Sequence, residues 1–162
     1  MKAKIKVFVT VGTTPFRGLV DFFDIAGADL DVRIQCAEKP YTKFAHSFEF
    51  TEDIQGEINR SDLVVSHAGA GTVYSLLENG TPCLVVPNRE RQDPHQDEIT
   101  RYISGQAFAA TETDLSRWEN PADLARAALS YKRKPYTKKA FFQTEQILAV
   151  IKGKEPESIS LK

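Results

Sequence analysis

The sequence contains few cysteines and no obvious cluster of metal-binding side chains. Cys36 and Cys83 are the only cysteines among 162 residues, and neither has a CxxC spacing or a group of histidines beside it. These absences argue against a disulfide scaffold and against a structural zinc site. Each cysteine adjoins an apolar, strand-like run, so we expect two reduced and buried thiols. No pair of metal-binding carboxylates is evident, and we expect neither a metal ion nor another cofactor.

Long apolar runs and net charge are also lacking. Ser66 and His67 interrupt the longest apolar candidate, so no segment approaches the roughly 18 residues that a membrane span requires. The lysine-rich start, Met1 to Lys6, lacks the apolar core and cleavage site of a signal peptide. The balance of 21 basic and 22 acidic residues provides no broad field to attract nucleic acid or an anionic membrane. We therefore expect a cytoplasmic protein that binds any anion locally.

The sequence does show a repeated alternation of strand-like and helix-like segments. The predicted strands are Ile5 to Val11, Val32 to Cys36, His46 to Phe50, Leu63 to Val65, Cys83 to Val86 and Ala107 to Thr111. The predicted helices are Phe16 to Ile25, Glu52 to Arg60, Thr72 to Asn79, Pro94 to Ile103, Pro121 to Tyr131 and Lys138 to Ile151. Successive βαβ units join parallel strands. We predict an α/β protein with one Rossmann-like, doubly wound parallel sheet over residues 1–152, followed by a polar tail over residues 153–162.

The last predicted helix, Lys138 to Ile151, is amphipathic. Phe141, Phe142, Ile147 and Val150 lie near one side of it, behind a basic stretch. This side packs either on its own domain or on a partner chain, and the pattern leaves both interpretations open.

Two loops follow predicted strands at the edge where doubly wound sheets bind ligands. The first loop contains Gly12, Thr13 and Thr14, whose hydroxyls could cap the next helix or contact a phosphate or a sugar. The second loop comprises Ser66, His67, Ala68, Gly69, Ala70, Gly71 and Thr72. Its small residues let the backbone approach a ligand, and the free N–H groups at the following helix start suit phosphate oxygens. Tight turning alone would also explain the two glycines, and a structural hydrogen bond would explain His67.

A third polar cluster, Asn88 to Glu98, follows the strand Cys83 to Val86. Within it, His95, Gln96 and Glu98 share one helical turn and could converge on sugar hydroxyls. A solvated, charged helix start is the plainer interpretation of the same residues. The GxGxxG and GxxxxGK[ST] patterns are absent, which disfavours a dehydrogenase or a kinase.

Together these segments resemble the C-terminal domain of family 28 glycosyltransferases. The resemblance rests on the SHAGAGT loop, on Glu78 to Pro82 (ENGTP), on His95-Gln96 with Glu98, and on the opening VTVGTT; it covers roughly residues 3 to 150. Its closest form is the stand-alone subunit that works with a second, membrane-associated chain in dolichol-linked oligosaccharide or bacterial exopolysaccharide synthesis.

The resemblance implies the donor half of a two-Rossmann (GT-B) glycosyltransferase. Such a chain binds a UDP-sugar, carrying GlcNAc, galactose or a similar sugar, and the sugar passes with inversion to a lipid-linked acceptor. Gly12 to Thr14 would line the donor cleft, His67 to Thr72 would hold the diphosphate, and His95, Gln96 and Glu98 would address the sugar. The partner subunit would supply the acceptor site and the catalytic base, and it would recruit this chain to the inner face of the membrane.

One position departs from the family pattern. Three residues after Thr72, where many relatives carry a glutamate that binds the ribose hydroxyls, this sequence has Ser75. A serine cannot replace a charge-assisted hydrogen bond worth about 1.5–3 kcal/mol. A non-catalytic stabilising or regulatory subunit with a decayed donor site therefore stays open as an alternative to the donor-binding enzyme subunit. A self-sufficient sugar-nucleotide hydrolase or epimerase of the same fold is a third possibility, against which the short length argues.

Overall fold

A computed structural model describes residues 2–137 and contains six strands and five α-helices in that range. The strands are β1 (Ile5–Thr10), β2 (Leu30–Gln35), β3 (His46–Phe48), β4 (Leu63–His67), β5 (Cys83–Val86) and β6 (Ala110–Thr111). The helices are α1 (Arg17–Phe23), α2 (Ile54–Asn59), α3 (Ala70–Glu78), α4 (Pro94–Gln106) and α5 (Pro121–Ser130). The predicted helix Lys138 to Ile151 and the predicted tail lie outside the described residues.

The strands form one parallel sheet in the order β3-β2-β1-β4-β5-β6. This is the order of a doubly wound Rossmann sheet, and it confirms the predicted fold class. The chain runs outward from β1 in one direction and outward from β4 in the other. The boundary between these two adjacent strands is the point where ligands bind in such folds.

Helices cover both faces of the sheet, because the central strands are apolar on both sides. Val7 and Val9 of β1 belong to a buried cluster with α1 and α5, while Phe8 belongs to a second cluster with α3 and α4. Cys36 and Cys83 are buried, one in each cluster, as their apolar neighbours predict. None of the helices within residues 2–137 combines the length and the apolar character needed to cross a bilayer.

The predicted end of β4 differs from the structure. The strand predicted to end at Val65 continues through Ser66 and His67, which pair with Val85 and Val86 of β5. Pairing with a neighbouring strand, which local polarity cannot reveal, sets this boundary. A short 3₁₀-helix, Leu115–Arg117, was not predicted.

The end of α3 follows the local sequence closely. Gly80 has a φ of +66°. Its N–H donates a hydrogen bond to the Leu77 carbonyl, and the N–H of Thr81 donates one to the Leu76 carbonyl. These two bonds form a Schellman motif, in which glycine adopts the left-handed conformation without steric cost. The predicted stop at Gly80 is therefore confirmed.

A buried carboxylate joins α2 to the sheet. Glu57 is buried, and its two oxygens accept hydrogen bonds of 2.6 and 2.8 Å from the Arg33 guanidinium on β2. Arg60 adds a third bond of 2.7 Å. The Arg33 hydrogen bonds hold the pKa of Glu57 below its usual range, against the opposing effect of burial.

We predict that Glu57→Gln lowers the free energy of unfolding by about 1.5–3 kcal/mol, the range for hydrogen bonds to a charged group. The folded-state pKa is depressed, so this contribution is complete above the ordinary glutamate pKa of about 4.3 and is lost as pH falls through the lower folded-state value. Urea titrations should therefore show a constant deficit between about pH 6 and 8 that shrinks below about pH 4. Glu52→Gln, at an exposed glutamate preceding the same helix, is the control and should change little. A deficit that persists in acid would contradict the ion-pair explanation.

Candidate functional site

The two predicted glycine-containing loops meet at the carboxyl edge of the sheet. The first follows β1 and the second follows β4, and these strands are paired through Thr10 and Ser66. The loops are therefore neighbours at the boundary where the strand order reverses. The structure thus brings together Gly12 and His67, which lie 55 positions apart in the sequence.

The His67 imidazole occupies space that two glycines leave open. A Cβ atom on Gly12 would lie 2.6 Å from Cε1 of His67, and one on Gly69 would lie 2.1 Å from Nε2. Gly12 also has a φ of +70°, a conformation that residues with a side chain rarely adopt. Both glycines therefore make room for His67, which is a packing role beyond the predicted turning.

His67 is a neutral group at physiological pH. Burial lowers its pKa below the usual histidine value, and the hydrogen bond with Thr10 opposes this shift to a smaller extent. Nδ1 lies 3.4 Å from the Thr10 carbonyl oxygen, which can only accept a hydrogen bond. When Nδ1 carries the proton for that bond, Nε2 presents a lone pair. His67 is thus suited to a polar contact and does not supply a positive charge.

The N-terminus of α3 is open. The first bond of the helix runs 3.0 Å from the Val73 N–H to the Gly69 carbonyl, so the N–H groups of Ala70, Gly71 and Thr72 have no acceptor within the helix. Gly69 provides no side-chain cap, and the first turn contains no acidic residue. A Cβ atom on Gly71 would meet nothing within 4 Å. The α3 N-terminus therefore combines free donors, a favourable dipole and space for an anion.

The N-terminus of α1 differs because a carboxylate of the chain already occupies it. Glu90, in the loop after β5, accepts hydrogen bonds of 2.9 Å from the Arg17 N–H and 2.6 Å from the Gly18 N–H. Thr13 is exposed beside this end, and the Thr14 hydroxyl accepts a 3.3 Å bond from Arg91. Within residues 2–137, Glu90 therefore caps the helix after the first glycine-containing loop, whereas no side chain caps the helix after the second.

In the third predicted cluster, Gln96 makes structural hydrogen bonds, whereas His95 and Glu98 are exposed. The Gln96 side-chain oxygen accepts bonds from the N–H groups of Ala68, at 3.1 Å, and Asn88, at 2.8 Å. This oxygen joins the loops after β4 and β5, so a sugar contact by Gln96 would have to use its amide nitrogen. His95 and Glu98 are exposed and lie 3.4 Å apart, between Nδ1 and Oε2. Their predicted sugar contacts remain predictions.

Sequence reasoning missed two buried amides that shape the site. The Gln35 oxygen accepts from the Thr10 hydroxyl at 2.8 Å and from the Gly12 N–H at 3.1 Å, while its nitrogen donates to the Gly12 carbonyl at 2.8 Å. Asn88 donates a 3.1 Å bond to the Pro15 carbonyl. The available signal was a polar amide at the end of a buried apolar strand, where an unpaired polar group is costly.

Ser75 lies on the exposed side of α3, and its side chain faces solvent.

A cavity of about 540 Å³ lies elsewhere, between α4 and the segment after β6. None of the predicted donor-site residues lines that cavity. No residue of α3 lines this cavity, so the cavity is separate from the α3 N-terminus.

Comparison with known proteins gives relatives that are named as N-acetylglucosamine transferases. The UDP-N-acetylglucosamine transferase subunit ALG13 of Cryptococcus neoformans is 36% identical over 88 residues, which cover 52% of this chain and 44% of that protein. A Synechococcus UDP-N-acetylglucosamine--N-acetylmuramyl-(pentapeptide) pyrophosphoryl-undecaprenol N-acetylglucosamine transferase is 44% identical over 48 residues, covering 30% of this chain and 13% of that protein. The chain therefore spans less than half the length of these relatives.

Solved structures support the same fold. An ALG13 solution structure aligns with 90% of this chain and 95% of its own, with a TM-score of 0.54 and 20% identity. MurG of Acinetobacter baumannii aligns with 78% of this chain and 40% of its own, with a TM-score of 0.55 and 17% identity.

The model of the glycosyltransferase family 28 C-terminal domain matches residues 6–147, which include every predicted site residue. This match extends over most of the chain and agrees with the doubly wound sheet. The chain therefore belongs to glycosyltransferase family 28, as a C-terminal domain of that family.

Proposed function

We propose that this chain is the donor-binding part of an inverting glycosyltransferase and that it binds the diphosphate of a UDP-sugar at the N-terminus of α3. The observation that carries the proposal is that no side chain within residues 2–137 caps that helix end. Three free N–H groups, at Ala70, Gly71 and Thr72, point out of a helix with no acidic residue in its first turn. The family membership and the names of the relatives support a sugar nucleotide, with UDP-N-acetylglucosamine as the first candidate.

The proposed chemistry needs little from the side chains of this loop. Backbone N–H groups aimed at the diphosphate stabilise the negative charge that grows on the departing UDP as the sugar is transferred. His67 is neutral and lies beside the helix end, where it can contact a phosphate or a sugar hydroxyl. The predicted residues Gly12 to Thr14 border the same edge, and His95 and Glu98 begin the helix that follows the next strand.

A second chain completes the proposed enzyme. It supplies the base that deprotonates the acceptor hydroxyl, the site for a lipid-linked acceptor and the attachment to the inner face of the membrane. The word subunit in the names of the ALG13 relatives supports this division, and the undecaprenol in the Synechococcus name supports a lipid-linked acceptor. We propose that the enzyme acts in the synthesis of a polysaccharide, such as an exopolysaccharide, or of a glycolipid.

A non-catalytic subunit with a decayed donor site is the second candidate, and the exposed serine at position 75 favours it. The two candidates differ in donor binding. A decayed site binds no uridine nucleotide, and an aspartate introduced at Gly71 leaves the activity of the reconstituted pair of chains unchanged. Turnover by the purified single chain would instead favour a hydrolase or an epimerase.

Isothermal calorimetry tests the donor assignment directly. We expect saturable binding of UDP and of UDP-N-acetylglucosamine by the isolated chain, with the same affinity when a chelator is present, because backbone N–H groups hold the diphosphate. The absence of binding for every uridine nucleotide would exclude the proposed function.

Gly71→Asp should abolish UDP binding while the domain stays folded. A carboxylate facing the diphosphate costs several kcal/mol, which corresponds to a loss of affinity of more than about 100-fold. The side chain enters open space and lies in the first turn of α3, where a negative charge stabilises a helix. Gly71→Asn has nearly the same size without the charge and is the matched control. Equal affinities for the two variants would contradict a diphosphate at this helix end.

Ser75→Glu tests the nucleoside end of the proposed site. Position 75 is exposed on α3, so a glutamate fits without repacking. If the ribose lies there, the added carboxylate should raise the affinity for UDP by about 10-fold through charge-assisted hydrogen bonds, as measured by calorimetry. Ser75→Gln, which lacks the charge, should produce a smaller gain. An unchanged affinity in Ser75→Glu would place the ribose away from this residue.

A further inference from the structure

The loop between β5 and α4 contains one cation without a counter-charge among the residues that the structure describes. In the same loop, Arg89 pairs with Asp97 through bonds of 2.9 and 2.7 Å, and Glu90 caps α1. Asp93 accepts a 3.0 Å bond from the His95 N–H at the start of α4. Arg91 takes part in no ion pair within residues 2–137, and its guanidinium donates a 3.3 Å bond to the Thr14 hydroxyl.

The bond between Arg91 and Thr14 joins two loops at the carboxyl edge of the sheet. Arg91 follows β5 and Thr14 follows β1, and β4 lies between these two strands in the sheet. The bond therefore connects segments that leave the two strands on either side of β4, the strand that leads to α3. The bonds from Asn88 to Pro15 and from Glu90 to α1 make the same connection and fix the loop that bears Arg91.

The open helix end lacks the charge that a diphosphate requires. The helix dipole contributes only about half an elementary charge at an N-terminus. His67 beside it is neutral, because burial lowers its pKa. Arg17 is engaged with Glu38 at 2.9 Å, and Arg89 is engaged with Asp97. In the loops that follow β1, β4 and β5, Arg91 is therefore the cation without an ion-pair partner within residues 2–137.

We propose that Arg91 is a donor-binding residue whose guanidinium contacts the diphosphate of the bound nucleotide. This inference rests on the proposed function and adds to it the side chain that supplies the positive charge. The bond to Thr14 uses one of the five N–H donors of arginine, and the others match phosphate oxygens in a planar fork. When the sugar leaves, the bond from its anomeric carbon to the β-phosphate oxygen breaks and the electron pair stays on that oxygen. The acceptor oxygen bonds to the anomeric carbon and its proton passes to the base of the second chain, so Arg91 faces a growing negative charge.

The test compares ligands with and without the diphosphate. UDP and uridine are titrated by calorimetry or NMR against the wild-type chain, Arg91→Gln and Arg91→Lys. Arg91→Gln should weaken UDP binding by about 10- to 100-fold, the effect of losing a hydrogen bond to a charged group, and should leave uridine binding unchanged. Arg91→Lys retains the charge without the fork and should restore part of the loss. The affinity of Arg91→Gln for UDP should also depend less on salt concentration than that of the wild type.

Arg101→Gln is the matched control. Arg101 is exposed on α4 and lines the separate cavity beside β6, so its loss should leave UDP affinity unchanged. Equal UDP affinity in Arg91→Gln and the wild type would overturn the role of Arg91 and leave the proposed function standing. An equal loss for UDP and uridine would also overturn it, because the effect would then come from the fold of the loop. A wild-type chain that binds no UDP would exclude the proposed function and this inference together.

Discussion

The loops at the carboxyl edge of the sheet depend on three amide side chains that satisfy buried backbone groups. Gln35 binds the backbone of the loop after β1, Asn88 connects the loop after β5 to that first loop, and Gln96 joins the loops after β4 and β5. An amide carries a donor and an acceptor in one rigid plane, so it can bridge two backbone segments that would otherwise be buried without partners. These bridges determine where Gly12 and His67 meet and where α3 begins.

The N-termini of α1 and α3 are similar in sequence context but differ in capping. Both α1 and α3 follow a strand and a glycine-containing loop, and each has a positive N-terminal dipole. Glu90 fills the first end, whereas small residues leave the second end free. A single carboxylate from a distant loop therefore satisfies the N–H groups at the start of α1 and keeps that end from an external anion. The same loop carries Arg91, whose guanidinium bonds the Thr14 hydroxyl, so one segment both caps α1 and bears the proposed donor-binding arginine.

The elements of the fold were largely predictable from the sequence. β5 was predicted with its observed bounds, and Gly80 ended α3 as expected, because the apolar run and the left-handed glycine are local signals. Other strand boundaries were less accurate. Ser66 and His67 belong to β4 because β5 pairs with them, and Ala107 to Ala109 precede the two-residue strand β6. In the candidate site, the loops were found from their glycines, but the roles of Gln35, Asn88 and Glu90 were not.

By itself, the sequence determined the alternation of strands and helices, the parallel sheet and the position of the loops at its carboxyl edge. These features follow from periodicity and turn chemistry over a few neighbouring residues. The tertiary structure alone decided that Glu90 caps α1 while no side chain within residues 2–137 caps α3, that Gln96 holds the loops after β4 and β5, and that Arg91 bonds Thr14. Each of these facts depends on a hydrogen bond between residues far apart in the chain, such as Arg17 and Glu90 at a separation of 73 positions. Only folding of the sheet brings such residues within bonding distance.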